Sequence, residues 1–134
     1  MTTKTPAAER VAAGFAFLEV RDPGFWRTGI EREIDLDELD LESPRLCVLG
    51  QRCPLEVFKA ATLTPYEAFG ARLSGLPVAR LGDLDAWAVP LGFQAVDDDD
   101  TDAMDEDFYL LTAEWRRVIK ARRDEADDRA EAAS

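Results

Sequence analysis

Residues 97–123, DDDDTDAMDEDFYLLTAEWRRVIKARR, constrain the fold more than any other stretch, because they set an amphipathic helix between charge blocks of opposite sign. Phe108, Leu111, Trp115, Val118 and Ile119 fall at i, i+3, i+7, i+10 and i+11, the spacing of one helix face. Eight carboxylates lie within residues 97–107 and five bases within residues 116–123. Acids suit the positive end of a helix dipole and bases its negative end, so the charges agree with the stripe. Asp105 is the expected N-cap, with Glu106 and Asp107 in the first turn. That leaves Asp97, Asp98, Asp99, Asp100 and Asp102 without a structural task, and these five are the candidate contacts for a basic protein partner.

The rest of the chain also reads as mainly α. Thr5 and Pro6 can open a first helix, with Ala8, Val11, Ala12, Phe15 and Leu18 as its inner face and Asp22-Pro23-Gly24 as its stop. Residues 30–44 are ambiguous: Ile34 and Leu36 alternate with acids, then Leu39 and Leu41 break phase at Glu38. A short β-hairpin or strand and an irregular extended segment near 30–41 fit equally. A helix is expected to begin at 43–45, and Pro54 must end or kink it. Thr64-Pro65-Tyr66-Glu67 is a capping box with proline at the first helical position, closed by Gly75 and Pro77. Asp83 is a candidate cap for a short helix that Pro90 cuts off. The expected architecture is a small bundle of about four helices around Phe15, Leu18, Phe58, Phe69, Trp87, Leu111, Trp115 and Ile119. Residues 1–123 form one globular domain, and the charged tail 124–134 frays.

Composition excludes more than it selects. With no histidine, the usual general base near neutral pH and the commonest metal ligand are missing, so Ser-His-Asp and Cys-His catalysis are ruled out. The net charge of −12 repels phosphate backbones and speaks against direct nucleic-acid binding. No apolar run is long enough to span a membrane, and Glu9 and Arg10 interrupt any signal-peptide core, so the expected setting is cytoplasmic. Asp35, Asp37 and Asp40 mimic a calcium loop only superficially, since Leu39 holds a ligand position and Asp40 stands where glycine is needed. Cys47 and Cys53 lack the further ligands zinc requires and read as thiols. No catalytic, cofactor or metal residue is therefore assigned, and no cofactor is expected. Phe25 and Trp26, just past the first helix, either fold back onto the core or mark a partner surface.

Three short pieces carry a resemblance: IDLDELDL at 34–41 with CVLGQ at 47–51, then Gly92-Phe93, then LTAEWRRVIKARR at 111–123. Together they are similar to a group of small proteins common in actinobacteriophages and actinobacterial genomes. RCPLEVFKAATLTP departs from that group where an aromatic-rich segment usually follows CVLGQ. The resemblance implies a phage or prophage accessory protein in a bacterial cytoplasm, and no activity or residue role. The resulting expectation is a non-enzymatic protein that binds and modulates another protein. Two alternatives stand beside it: an acidic nucleic-acid mimic with residues 31–42 and 97–107 on one face, and an enzyme built on a carboxylate pair.

Overall fold

The apolar stripe of residues 108–119 meets its counterpart on the first helix, and the remaining elements pack around that pair. The computed structural model describes residues 6–59, 62–96 and 99–133. Its helices are α1 (Ala7–Arg21), α2 (Val48–Arg52), α3 (Leu55–Lys59), α4 (Pro65–Ser74), α5 (Leu84–Ala88) and α6 (Thr101–Ala133), with 3-10 turns at Val78–Asp83 and Val89–Leu91. The protein is mainly helical, and the described residues include no strand. Ile34, Leu39 and Leu41 are all buried, so the segment near 30–41 is the irregular, leucine-pinning alternative and not a hairpin.

Several boundaries differ from the sequence expectation. Helix α6 begins at Thr101 rather than after Asp105, and the Asp100 carboxylate accepts the Asp102 N–H at 3.0 Å. At its other end the helix runs on to Ala133, so residues 124–133 are helical where fraying was expected. The bases of residues 116–123 therefore lie in mid-helix, not at the negative end of the dipole. Two of them, Arg116 and Arg123, donate to backbone carbonyls of the loop that precedes α2. Helix α2 starts later than expected, with the Cys47 sulfur as its cap acceptor. Asp83 makes no side-chain cap bond to α5. The capping box of α4 forms as the sequence requires: Thr64 and Glu67 bond reciprocally, and Gly75 closes the helix at φ +76°. The expected cap Thr5 lies outside the described residues, as does the Phe58 side chain.

The core is built on aromatic contacts and the buried ion pair of Arg10 and Asp107. Leu18, Phe69, Leu111, Trp115 and Ile119 are buried, while Phe15 and Trp87 are partly buried against them. Phe93 stacks on Trp115 with ring centroids 5.6 Å apart, and the Trp115 indole N–H donates to the Gly92 carbonyl at 2.7 Å. Gly14 lets α1 close on the turn at Val89–Leu91, because a Cβ there would sit 1.9 Å from the Leu91 carbonyl oxygen. Arg10, buried on the same helix, makes two 3.0 Å bonds to Asp107 and also donates to the Gln94 and Val89 carbonyls. Asp107 further accepts the Val96 N–H at 2.9 Å, so both charges leave water with their hydrogen bonds made.

Between α1 and α2 the chain crosses residues 22–47 without regular structure, and distant side chains supply many of its backbone partners. Buried Arg52 holds Asp22 through two nitrogens and donates to the Glu31 and Arg32 carbonyls. Gln51 accepts the Asp35 N–H and donates to the Asp35 and Leu46 carbonyls. From α6, Thr112 accepts the Leu41 N–H, Arg116 reaches Leu36 and Leu39, and Arg123 reaches Trp26 and Ile34. The three sequence pieces quoted above thus meet in space, with Gln51, Gly92, Thr112, Trp115 and Arg123 at their junctions.

Candidate acidic cleft

Where this meander lies beside the first half of α6, the two form a cleft of about 480 Å³. Its meander wall comes from Asp37, Glu38, Leu39, Asp40, Glu42 and Leu46, and its helix wall from Asp105, Phe108, Tyr109 and Thr112. Spacing on α6 produces the second wall: positions 105, 108, 109 and 112 recur on one helix face. The first wall follows from turns that the acids themselves shape. The Asp35 carboxylate accepts the Asp37 and Glu38 N–H groups, and the Asp40 carboxylate accepts the Glu42 N–H at 3.0 Å. Those turns send Leu39 and Leu41 inward and leave Asp37, Glu38, Asp40 and Glu42 exposed.

The cleft combines strong charge with apolar surface. Five of its ten lining residues are acids and none is a base, so its walls carry a net negative charge. Leu39, Leu46 and Phe108 form an apolar floor, and Tyr109 at the rim is 73% exposed, with Leu110 beside it also exposed. Large apolar groups left in water beside a charged rim mark contact surfaces more often than they serve stability. Such a cleft suits a positively charged segment that also brings apolar side chains.

The candidate residues read from the sequence fare unevenly. Asp99, Asp100 and Asp102 are exposed around the start of α6, and the Asp100 carboxylate is engaged with that helix end; none of the three lines the cleft. Asp97 and Asp98 lie outside the described residues. Phe25 and Trp26 are corrected: at 0% and 2% exposure they belong to the core and cannot form a partner surface. Phe25 packs edge-on to Phe15 at 5.0 Å, and Trp26 is covered by the guanidiniums of Arg27 and Arg122. The reason is the turn at residues 22–25, which folds the two rings back over α1. Asp105 was assigned to a cap and Tyr109 has no place in the helix's apolar stripe, so neither stood out as a cleft residue. The available signal was that Tyr109 and Leu110 fall off the apolar stripe of their own helix.

Other chemistry on the molecule is quiet. Burial pushes the Cys47 thiol up to about 12 and also raises that of Cys53, so neither is a ready nucleophile, and both are free. Burial, and then the neighbouring Asp85, raise the Tyr66 phenol, which donates to that carboxylate at 2.9 Å. Among the described residues no group of three or more His, Cys, Asp or Glu converges on a metal position. The Asp35 and Asp40 carboxylates serve backbone turns instead. Among those residues, too, no helix is long and apolar enough to cross a membrane. No family model, curated protein or solved structure matches the chain.

Proposed function

We propose that this chain is a non-enzymatic interaction protein whose acidic cleft docks a basic segment of another protein and thereby modulates it. The observation that carries the reading is the apolar-floored cleft with five carboxylates and no base on its walls. Electrostatic complementarity would speed encounter and set specificity, and the floor would supply desolvated contact. The resemblance of its sequence pieces to small actinobacteriophage proteins supports a phage- or prophage-type accessory role in a bacterial cytoplasm.

The nucleic-acid mimic draws support from one feature, the meeting of the 37–42 acids with Asp105 at a single site. A phosphate mimic has no use for Leu39, Phe108 and Tyr109, however, so the docking reading explains more of the cleft. No observation among the described residues favours the carboxylate-pair enzyme.

Two charge-reversal variants test the proposal. One carries Asp37→Lys, Glu38→Lys and Asp105→Lys in the cleft. The other carries Asp99→Lys, Asp127→Lys and Asp128→Lys on exposed sites elsewhere, with the same change in net charge. In quantitative pull-downs from actinobacterial lysate, the cleft variant should lose about tenfold or more of any partner that the wild type enriches, and the control little. Equal loss in both variants would remove the cleft from the reading. Competition by duplex DNA for the captured protein would favour the mimic.

A further inference from the structure

We infer that the cleft selects arginine over lysine in the segment it docks, an inference that rests on the docking reading above. Asp105 and Tyr109 stand four positions apart on α6 and both line the cleft, so a carboxylate and an exposed aromatic ring are stacked along one helix face. Glu38 faces them from the meander wall. A lysine ammonium can use only the negative charge of such a site. An arginine guanidinium can use the ring as well: its plane lies flat on an aromatic face while its fork meets carboxylate oxygens at the edge.

The molecule contains an occupied version of the same arrangement. The Arg122 guanidinium lies 4.2 Å above the Trp26 ring, with the Glu19 carboxylate 3.9 Å from its Nε and 3.2 Å from the indole nitrogen. Ring, guanidinium and carboxylate form one layered unit there. At the cleft the ring and the carboxylates face solvent, on a surface whose charge calls for a cation. The occupant this defines is a basic protein segment carrying an arginine next to an aliphatic residue, the arginine on Tyr109 and the aliphatic group over Leu39 and Phe108.

Fluorescence anisotropy of the full chain can test this with two labelled peptides, Gly-Arg-Leu-Arg-Leu-Arg-Gly and its all-lysine counterpart. The arginine peptide should bind about two- to fivefold more tightly, the effect of one exposed cation–π contact. Tyr109→Leu should bring that ratio close to one by weakening arginine binding alone, while Tyr109→Phe, which keeps the ring, should retain it. Equal affinity for the two peptides, or a ratio that survives Tyr109→Leu, overturns the arginine selection and leaves the docking reading standing. If neither peptide binds more tightly to the wild type than to the charge-reversed cleft variant, both fall. Tyr109 is exposed, so circular dichroism of its variants should match the wild type.

Discussion

Residues 64–75 and residues 22–47 meet the same demand, a partner for each backbone N–H and C=O, by opposite means. Helix α4 carries its solution within itself: Thr64 and Glu67 satisfy the first turn, Pro65 removes a donor that would have no partner, and Gly75 takes the left-handed turn at the end. The meander contributes turns and buried leucines, but many of its carbonyls are held by Arg52, Gln51, Arg116 and Arg123, across separations of 5 to 97 residues. A segment that closes on its own residues can fold early and tolerate change nearby. One that borrows donors from two other helices exists only when those helices are docked. The acidic cleft takes one wall from the meander, so the binding surface inherits that dependence.

The most severe way to break the meander is to remove Arg52. Arg52→Met keeps the length of a buried side chain but strands the Asp22 carboxylate and two carbonyls. Losing one partner of a fully buried pair typically costs about 3–5 kcal/mol. Asp22 keeps some contact with water, so the loss here should lie toward the lower end of that range. Urea unfolding should show a loss of that size. If the variant still folds, hydrogen exchange should speed up across residues 22–46 before α4 or the middle of α6. Uniform exchange across the chain would show that the meander is no weaker than the helices.

This difference also decides what the sequence could reveal. The capping box of α4, the aromatic core and the stripe at 108–119 follow from spacings of three or four residues, and all are present in the fold. Arg10 and Asp107, 97 positions apart, read only as a break in an apolar run and a first-turn acid, because pairing at that range leaves no local pattern. Arg52 was hidden for the same reason. The cleft was half legible: the acids of 37–42 and of 105 stood out as charge, but their meeting depends on the meander's path. Phe25 and Trp26 show the converse error, since aromatics after a helix stop look alike whether the chain turns back or away.

Cys47 tests the seam between the two kinds of structure, since it ends the meander and caps α2 through its sulfur. Its thiol is raised from 9.0 to about 12 by burial. Below pH 9 the folded and unfolded chains both keep the proton, so stability is unaffected. Between pH 9 and 12 the unfolded chain releases it while the fold retains it, and stability falls by about 1.4 kcal/mol per pH unit. Tyr66, also raised by burial, pushes in the same direction above pH 10. Cys47→Ala should flatten the alkaline slope of a thermal-melt series, at some loss of stability near neutrality for the missing cap. An unchanged slope would assign the alkaline sensitivity to Tyr66 and Cys53 instead.

The smallest expected effect sharpens the comparison from the other side. Thr64→Ala removes the hydroxyl that accepts the Glu67 N–H at 3.2 Å and leaves Glu67 with one partner fewer. The loss of such a cap costs about 1 kcal/mol. Because the interaction is confined to the first turn of α4, faster hydrogen exchange should be restricted to residues 66–68. One bond could carry the change further: the Tyr66 N–H donates to the Pro44 carbonyl at 3.0 Å, at the meander's far end. Exchange that also accelerates near residues 43–46 would show that α4 supports the meander, making the locally specified element a brace for the one that is not.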